Sequence, residues 1–588
     1  MQYDRRAGSR EPGAGSREPG AGSREPGAGS REPGSRDGRT VCALRTVLVV
    51  IRTATTLSRL LDVLPVLADD PRVEVEFTVA PGSAYDDGLP ALLESLGART
   101  LPWERALRRT YDLAVTASAN GDLHALDAPL VMLPHGAGFN KQNPATAKGT
   151  DEASGLSAAQ LLRHGKVVPT AIGLGHDEQV GRLRVSCPPA AGRASVIGDP
   201  CFDRLRASLP LRDEYRAALG VGAPDGRRLV VLSSTWGEES LLARRPGLAA
   251  RLLAELPVDE YRVALVLHPN VWARHGPFQV RLWLAAALES GLLLVPPQEG
   301  WRAALVAGDC LVGDHGSVTL YGAGVGLPVA LAADGGAEVA PGSPMAELVR
   351  RAVRLRDGHG LRPQIEELIA AGAGRLGADT APGGAFGEPG KSLTLLGELL
   401  YGHLGLPLPA RSPEARPVPP LTLPAAHVRE LVVRTSTLAR TVAEVAVERF
   451  PARLAEPSDP ADGTVWHHHR GYEPAPDGIG LAHGAAVILG RPAGPAHEWI
   501  DRTLARNPVC RIAGATDGPG TLLLRPRGGP LLRATLRAEP GRPGTADDVA
   551  PVLSALHHLL STGDGHALPN TLRLRAGGTV RTVDLSPG

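Results

Sequence analysis

The sequence predicts an α/β protein with two tandem Rossmann-like, doubly wound domains and a small C-terminal α+β appendage. Three observations predict it. Short apolar, β-branched runs alternate with stretches of helical spacing across most of the chain. The alternation restarts midway. A Pro-rich stretch, 403–424, then separates this body from a tail of short strands rich in Gly and Pro. At 588 residues the chain is too long for one ordinary core, so several domains are expected.

Residues 1–40 come first. "AGSREPG" occurs four times in tandem from Ala7 to Gly34. The period is seven, but each unit carries Pro and Gly and no apolar a/d pair, which excludes a coiled coil. The segment reads as disordered.

Residues 41–192 read as the first Rossmann-like domain. "RTVLVVIRT" has the continuous apolar texture of a buried parallel strand. "TLSRLLDVLPVLADDP" follows with leucines at helical spacing, and "VEVEFTVAP" completes a βαβ unit. "YDLAVTAS" and "APLVMLPHG" are further strands. Residues 193–402 read as the second domain, with strands in "ASVIGDP", "RRLVVLSSTW", "YRVALVLHPN", "GLLLVPPQ", "DCLVGDHG" and "LPVALAAD". Residues 403–424 read as the linker. In 425–588, "AAHVRELVVRTSTLARTVAEVAVERF" reads as a helix and the remainder as a small α+β appendage.

Composition excludes several classes. Lys+Arg is 63 and Asp+Glu is 62, so nothing in the charge favours nucleic acid. The five cysteines are scattered, which argues against a disulfide framework and for a reducing cytosol. There is no apolar run long enough to span a membrane and no secretory leader. The expected location is cytoplasmic, with peripheral attachment at the inner face of the cell membrane left open. No basic amphipathic helix strong enough to dock a membrane stands out.

Ligands of open parallel sheets bind beyond the carboxyl ends of the strands. Five strands end in polar, small or imidazole groups: His135-Gly136, Gly198-Asp199-Pro200, Ser233-Ser234-Thr235-Trp236, His268-Pro269-Asn270 and Asp314-His315-Gly316-Ser317. The last is a strand, a tight turn and a helix start, whose free N–H groups and dipole favour a phosphate. His268 could donate to the same phosphates. Neither GxxxxGK[ST] nor GxGxxG after the first strand is present, which disfavours a kinase-like or dinucleotide site. Plain structural duties fit the same residues. His135 and His315 could be strand-end histidines bonded to backbone, Ser317 a helix cap, His268 part of a strand terminator, and Trp236 a wall. The run "WHHHRGYEP" places His467, His468 and His469 together, but neighbours on a regular element point different ways, so no metal site is assigned.

Those strand ends, in that order, resemble the CDP-glycerol:polyol-phosphate glycerophosphotransferases of teichoic-acid assembly. The matching segments are "HGAGFNK", "GDPCFD", "SSTW", "HPN" and "GDHGSVTLYGAGVGLP", within residues 130–335. The resemblance implies a glycosyltransferase-B fold, with 41–192 as acceptor domain and 193–402 as nucleotide-donor domain. It implies His135 as general base. It implies His268, Asp314, Gly316, Ser317, Ser234 and Thr235 around the nucleotide diphosphate. Gly316 stands where the family has a serine, and Ala137-Gly138 stand where it has Thr-Pro. The expected reaction moves glycerophosphate or a sugar from a CDP- or UDP-linked donor to a hydroxyl acceptor. That acceptor is a polyol-phosphate or glycan, and a membrane-linked one is compatible. No tightly bound cofactor is expected. A divalent metal and the oligomeric state are left open. Two alternatives remain: a nucleotide-sugar 2-epimerase or hydrolase on the same fold, and a non-catalytic scaffold.

Overall fold

A computed structural model describes residues 43–588, apart from 86–87, 144–151, 223–225, 373–383, 412, 425–426, 440–442, 456–463, 475–483, 539–547 and 563–567. The N-terminal repeat lies outside the described residues.

The first sheet contains β1 (Arg45–Ile51), β2 (Val73–Val79), β3 (Thr100–Leu101), β4 (Leu113–Thr116) and β5 (Leu130–Met132). A two-stranded hairpin, β6 (Leu162–Arg163) and β7 (Lys166–Val167), stands apart. β8 (Ala171–Leu174) and β9 (Ala194–Val196) then complete the sheet. Its order is β3-β2-β1-β4-β5-β8-β9, and every pair is parallel. β1 is buried along Val47–Ile51, as expected for a strand covered on both faces.

The second sheet contains β10 (Arg228–Ser234), β11 (Tyr261–Leu267), β12 (Leu293–Leu294), β13 (Cys310–Gly313), β14 (Val329–Leu331) and β15 (Val353–Arg354). The order is β12-β11-β10-β13-β14-β15, again all parallel. Both sheets are therefore Rossmann-like, and each has a topological switch point, at β1/β4 and at β10/β13.

Two boundaries differ from the sequence expectation. "ASVIGDP", read as the opening of the second domain, supplies β9, the last strand of the first sheet. The helix Ser392–Leu404, placed in the second domain, returns to the first. Its Leu393, Leu396, Leu400 and Tyr401 pack with Val47, Val49 and Leu60, and the Tyr401 hydroxyl donates to Asp70 at 2.8 Å. The stretch 403–424 is also no loose tether. Val418 and Leu421 are buried in the second domain's core, and the Tyr215 hydroxyl donates to the Val418 carbonyl at 2.6 Å.

A buried ionic cluster ties the two halves together. Arg302 is 1% exposed and donates to Asp62 (2.5 Å) and Glu299 (2.9 Å), while Arg204 reaches Asp62 at 2.6 Å. Asp62 belongs to the helix Ala54–Val63 of the first half and Arg302 to the helix Trp301–Ala307 of the second.

The C-terminal region departs most from expectation. It is a closed barrel of β16 (Glu430–Ala439), β17 (Glu444–Pro451), β18 (His467–Tyr472), β19 (Val487–Gly490), β20 (Ile512–Thr516), β21 (Thr521–Pro526), β22 (Leu532–Leu536), β23 (Thr571–Ala576) and β24 (Thr579–Pro587). The segment read as one helix is the antiparallel pair β16/β17. Its Val and Thr content and its period of two, with Leu431, Val433 and Thr435 inward, are strand signals that outweigh the helical reading. Cross-strand partners Arg434 and Glu448 form an ion pair. The helix Ala550–Thr562 fills the barrel, with Val552, Leu553 and Leu556 packed among Leu431, Val447 and Leu572. A Cβ at Gly514 would lie 2.8 Å from Leu553 Cδ2 and 3.2 Å from the Leu523 carbonyl oxygen, so the helix packs closely on β20 there.

Asp62→Ala removes the carboxylate that Arg302 and Arg204 share and leaves the buried Arg302 with Glu299 as its remaining carboxylate. The expected cost is about 3 kcal/mol in the denaturation of the Rossmann body. A loss below about 1 kcal/mol would show that this cluster contributes little to holding the halves together.

Candidate active site

The carboxyl ends of both sheets open toward one cleft, and the switch point of the second sheet shapes it. Asp314, immediately after β13, is fully buried. Its Oδ2 accepts from the backbone N–H groups of Thr235 and Leu241, both at 2.8 Å, and its Oδ1 from Gly316 at 3.0 Å. Burial pushes its carboxyl above the usual range, and three N–H donors together with His315 oppose that shift. Asp314 was expected beside the diphosphate. Its oxygens instead hold backbone, so it shapes the turn. Ser234 is similar: it is buried, accepts from Leu242 N–H at 2.9 Å and donates to the Thr235 carbonyl at 3.0 Å. Thr235 is buried beside Gly316.

Gly316 is the N-cap of the helix Ser317–Gly324 and offers no side chain to its first amides. A Cβ there would lie 3.1 Å from both Asp314 Oδ1 and Thr235 Cβ. The family's serine at this position would crowd that pair. Ser317 is half-buried and faces the other half of the molecule. A Cβ on Gly136 would come within 2.8 Å of its hydroxyl. The structure thus brings His135-Gly136 of the first half against Gly316-Ser317 of the second.

His135 follows β5 on a loop of unusual backbone, with φ +77 at Gly138 and +48 at Phe139. Several bonds hold the loop in this form. Arg182 donates to the carbonyls of Gly138 (3.1 Å) and Phe139 (3.0 Å). Asn140 donates to the Ala137 carbonyl at 2.5 Å and accepts from Met345 N–H at 3.2 Å. Arg59 donates to the His135 carbonyl at 3.2 Å and also reaches Tyr321 and Asp199. Asp199 caps the helix Pro200–Ser208 through Cys201 and Phe202 N–H and accepts from the Tyr321 hydroxyl at 2.5 Å. The Gly198-Asp199-Pro200 strand end therefore buttresses the His135 loop.

His268 caps the helix Pro269–Trp283. Its Nδ1 accepts from Asn270 N–H at 3.1 Å, so the proton of the neutral ring sits on Nε2, which is free to donate to an anion. Burial pulls its pKa down to about 3, with Lys141 and His135 adding to the effect. The position of His135 at the cleft, with Arg59 and Lys141 nearby, pulls its pKa below the usual imidazole range. Both imidazoles are neutral at pH 7.

Lys141, which acts on both histidines, closes the quoted "HGAGFNK" segment but carried no expected role. Its Nζ lies 3.0 Å from Glu338 Oε2 and 4.3 Å from the Trp236 ring centroid. Glu338 also meets His315 Nε2 at 3.1 Å, and His315 with Lys141 holds its carboxyl well below the usual range. His315 is buried behind the turn, and its Nδ1 has no partner among the described residues. Trp236 packs against Tyr85 at 5.1 Å and His268 at 6.4 Å between centroids, which gives the cleft an aromatic wall. Nothing local in the sequence pointed to Tyr85 or Glu338, which meet the site from distant loops. A separate polar cavity beyond β4 and β5 is lined by Asn120, His124, Gln160 and Arg163.

In the barrel, His467–His469 lie on β18. His469 Nε2 meets Ser554 at 3.0 Å, and His558 is held between Thr435 and Thr437. Among the described residues, no group of three or more His, Cys, Asp or Glu side chains is placed to hold a metal ion.

No protein-family model and no curated protein matches the chain. Among solved structures, a UDP-GlcNAc 2-epimerase from Methanocaldococcus jannaschii in complex with UDP-GlcNAc and UDP is 12% identical. It aligns over 61% of this chain and 99% of its own, with a TM-score of 0.40. The wall teichoic acid polymerase TagF is 15% identical over 62% of this chain and 90% of its own, with a TM-score of 0.39. S. aureus MnaA in complex with UDP is 11% identical over 63% and 99%, with a TM-score of 0.36. Figures at this level assign no activity.

The depressed histidines set a pH dependence. A histidine whose folded pKa lies below its unfolded value, near 6.5, binds fewer protons when folded. Its contribution is intact above about pH 6.5 and is lost as pH falls toward the folded value. The Tm is therefore expected to fall as the pH drops from 6.5 toward about 3, the folded value of His268. His268→Gln keeps an acceptor for Asn270 N–H and cannot charge, so its Tm should fall less steeply. Parallel profiles for the two proteins would refute the assignment.

Proposed function

We propose that the protein is a nucleotide-activated transferase. It moves glycerophosphate or a sugar from a CDP- or UDP-linked donor to a hydroxyl acceptor. The observation that carries this reading is the convergence, at the switch point of the second sheet, of groups from both halves: His135 and Lys141 from one, His268 and Ser317 from the other. A neutral imidazole, a lysine, an Nε2–H donor and an uncapped helix start suit a reaction with a hydroxyl nucleophile and a phosphate leaving group.

In the proposed step the acceptor oxygen attacks the electrophilic centre of the donor. For a glycerophosphate donor this centre is the distal phosphorus, and the phosphoanhydride bond breaks to release CMP. For a sugar donor it is the anomeric carbon, and the nucleoside diphosphate leaves. The hydroxyl proton passes to the His135 imidazole. The leaving phosphates collect negative charge, which His268 Nε2–H, Ser317 with the N–H groups at its helix start, and the Lys141 ammonium meet. Asp314 and Ser234 act as positioning residues. The Trp236–Tyr85 wall suits a planar base or a sugar ring. The cavity beyond β4 and β5 suits a polar acceptor. No step requires a covalent enzyme intermediate.

Incubation with CDP-glycerol and with UDP-sugars, with and without polyol or glycan acceptors, tests the reading by nucleotide release. His135→Ala should lower release by about 10²–10⁴-fold. His268→Ala should abolish the thermal shift caused by the nucleotide product. Donor turnover without any acceptor would favour the epimerase or hydrolase reading. No nucleotide-dependent thermal shift at all would leave the scaffold.

A further inference from the structure

The helix Ala550–Thr562 fills a barrel whose core is apolar, yet one of its faces is polar. Ser554, His557 and His558 follow at helical spacing on that face. Opposite them stand His467 and His469, alternate residues of β18 in register with Thr435 and Val433 of β16. The rings pair across the gap, His467 with His558 at 5.1 Å and His469 with His557 at 4.5 Å between centroids. His469 Nε2 also meets the Ser554 hydroxyl at 3.0 Å. His558 is 2% exposed and lies between two threonines. The Thr435 hydroxyl donates to the His467 carbonyl at 3.2 Å, so it accepts from His558 Nδ1 at 3.0 Å. Nε2 of the neutral ring then accepts from the Thr437 hydroxyl at 2.7 Å. The neutral ring is satisfied at both nitrogens, and a second proton would have to enter at the Nε2 that Thr437 already uses.

The charged groups around this seam repel such a proton. Arg511, ahead of β20, acts on His557, and His468 acts on His469. On β16, Arg434 is taken by Glu448, which leaves the two threonine hydroxyls to face the helix. Arg573 and Arg575 of β23 pair with Glu444 of β17. The inner residues of β17, β19, β20 and β23 are apolar, among them Val447, Leu489, Ile512 and Leu572. Asp548, ahead of the helix, is 3.9 Å from Arg581. Among the described residues, none of His467, His469, His557 and His558 pairs with a carboxylate, and the histidines that do are His315 and His427. Burial pulls the pKa of His469 and His557 below the usual imidazole range and that of His558 down to about 4. Neighbouring imidazoles add to the shift at His469 and His558.

We propose that this histidine seam is an acid-sensitive latch, which seats the helix Ala550–Thr562 in the barrel while its rings are neutral and releases the helix from β18 when they are charged. A ring that is neutral when seated takes its proton in the released form first. The latch is therefore closed above about pH 6.5 and weakens as the pH falls below it. At pH 5 each such ring raises the released fraction by roughly thirtyfold, and two raise it by roughly a thousandfold. The released state is a local opening of one element, below global unfolding. The latch belongs to the barrel and stands independently of the transferase reading.

Hydrogen exchange of the full chain, read by mass spectrometry at pH 7.5 and pH 5 with labelling times rescaled for the intrinsic rate, tests the latch. The amides of 550–562 should lose protection by roughly a thousandfold between the two conditions. At pH 5 they should exchange faster than those of β1 and β13, which open only with the Rossmann body. His469→Gln/His557→Gln keeps a hydrogen-bonding group toward Ser554 and removes two of the titrating rings. Its helix should lose protection by only about thirtyfold, the share of His558. The proposal is overturned if the helix of the parent keeps its protection at pH 5, or if helix, β1 and β13 exchange there at one common rate. It is also overturned if the double variant follows the parent. The first two outcomes are read on the parent alone, so they hold whatever the stability of the variant.

Discussion

The candidate site depends on one buried carboxylate. Asp314 sits where the strand order of the second sheet reverses, with no exposure to water. A charge so placed is tolerable only if its oxygens are bonded, and three backbone N–H groups do this. Two of them belong to the loop after β10 and one to the turn after β13. The carboxylate therefore joins the two strand ends that flank the switch point. It fixes the start of the helix Ser317–Gly324 and the path of Thr235-Trp236. Trp236 in turn carries the face on which Lys141 rests.

From this centre the two halves are held by contacts of different kinds. On one side Lys141 bridges to Glu338, and the backbone of Asn140–Gln142 pairs with Glu338–Ala340. Behind the cleft, Arg302 and Asp62 form the buried ion pair. At the far end the helix Ser392–Leu404 crosses back to the first core. The Lys141–Glu338 pair is half-exposed and weak in isolation, whereas the Arg302 cluster is buried and sensitive to loss of a partner. The buried Arg302 cluster is therefore the more costly of the two to break.

The barrel is joined to the second half rather than tethered to it. Arg449 forms a double bond pattern to Asp259 at 2.9 and 2.5 Å and also meets Glu473 at 2.5 Å. Arg362 reaches both Glu260 and Glu448. Val258 adds its side chain to the barrel's apolar core and its N–H to the Arg449 carbonyl. Fork-shaped guanidinium–carboxylate pairs fix orientation as well as distance, so these contacts orient the barrel on the half that carries His268.

The sequence by itself determined the local elements and their punctuation. Apolar β-branched runs marked the parallel strands, and polar strand ends marked His135, Thr235, His268 and Ser317, because strand burial and turn chemistry act over a few residues. It did not distinguish side chains that line the cleft from side chains that hold backbone. Asp314 and Ser234 look like ligand contacts in one dimension and prove to be bonded to neighbouring loops. It also misplaced β9 and the helix Ser392–Leu404, whose partners are chosen by sheet edges and crossovers. The pair β16/β17 passed for a helix, since no Gly or Pro between His427 and Phe450 marks the turn that divides the two strands. Only the tertiary structure decided that Lys141, Glu338, Trp236 and Tyr85 meet in one cleft, and that His467 and His469 meet His558 and His557 in the barrel. Those pairings depend on where distant loops return and on how the barrel closes around its helix, and neither leaves a periodic trace in the chain.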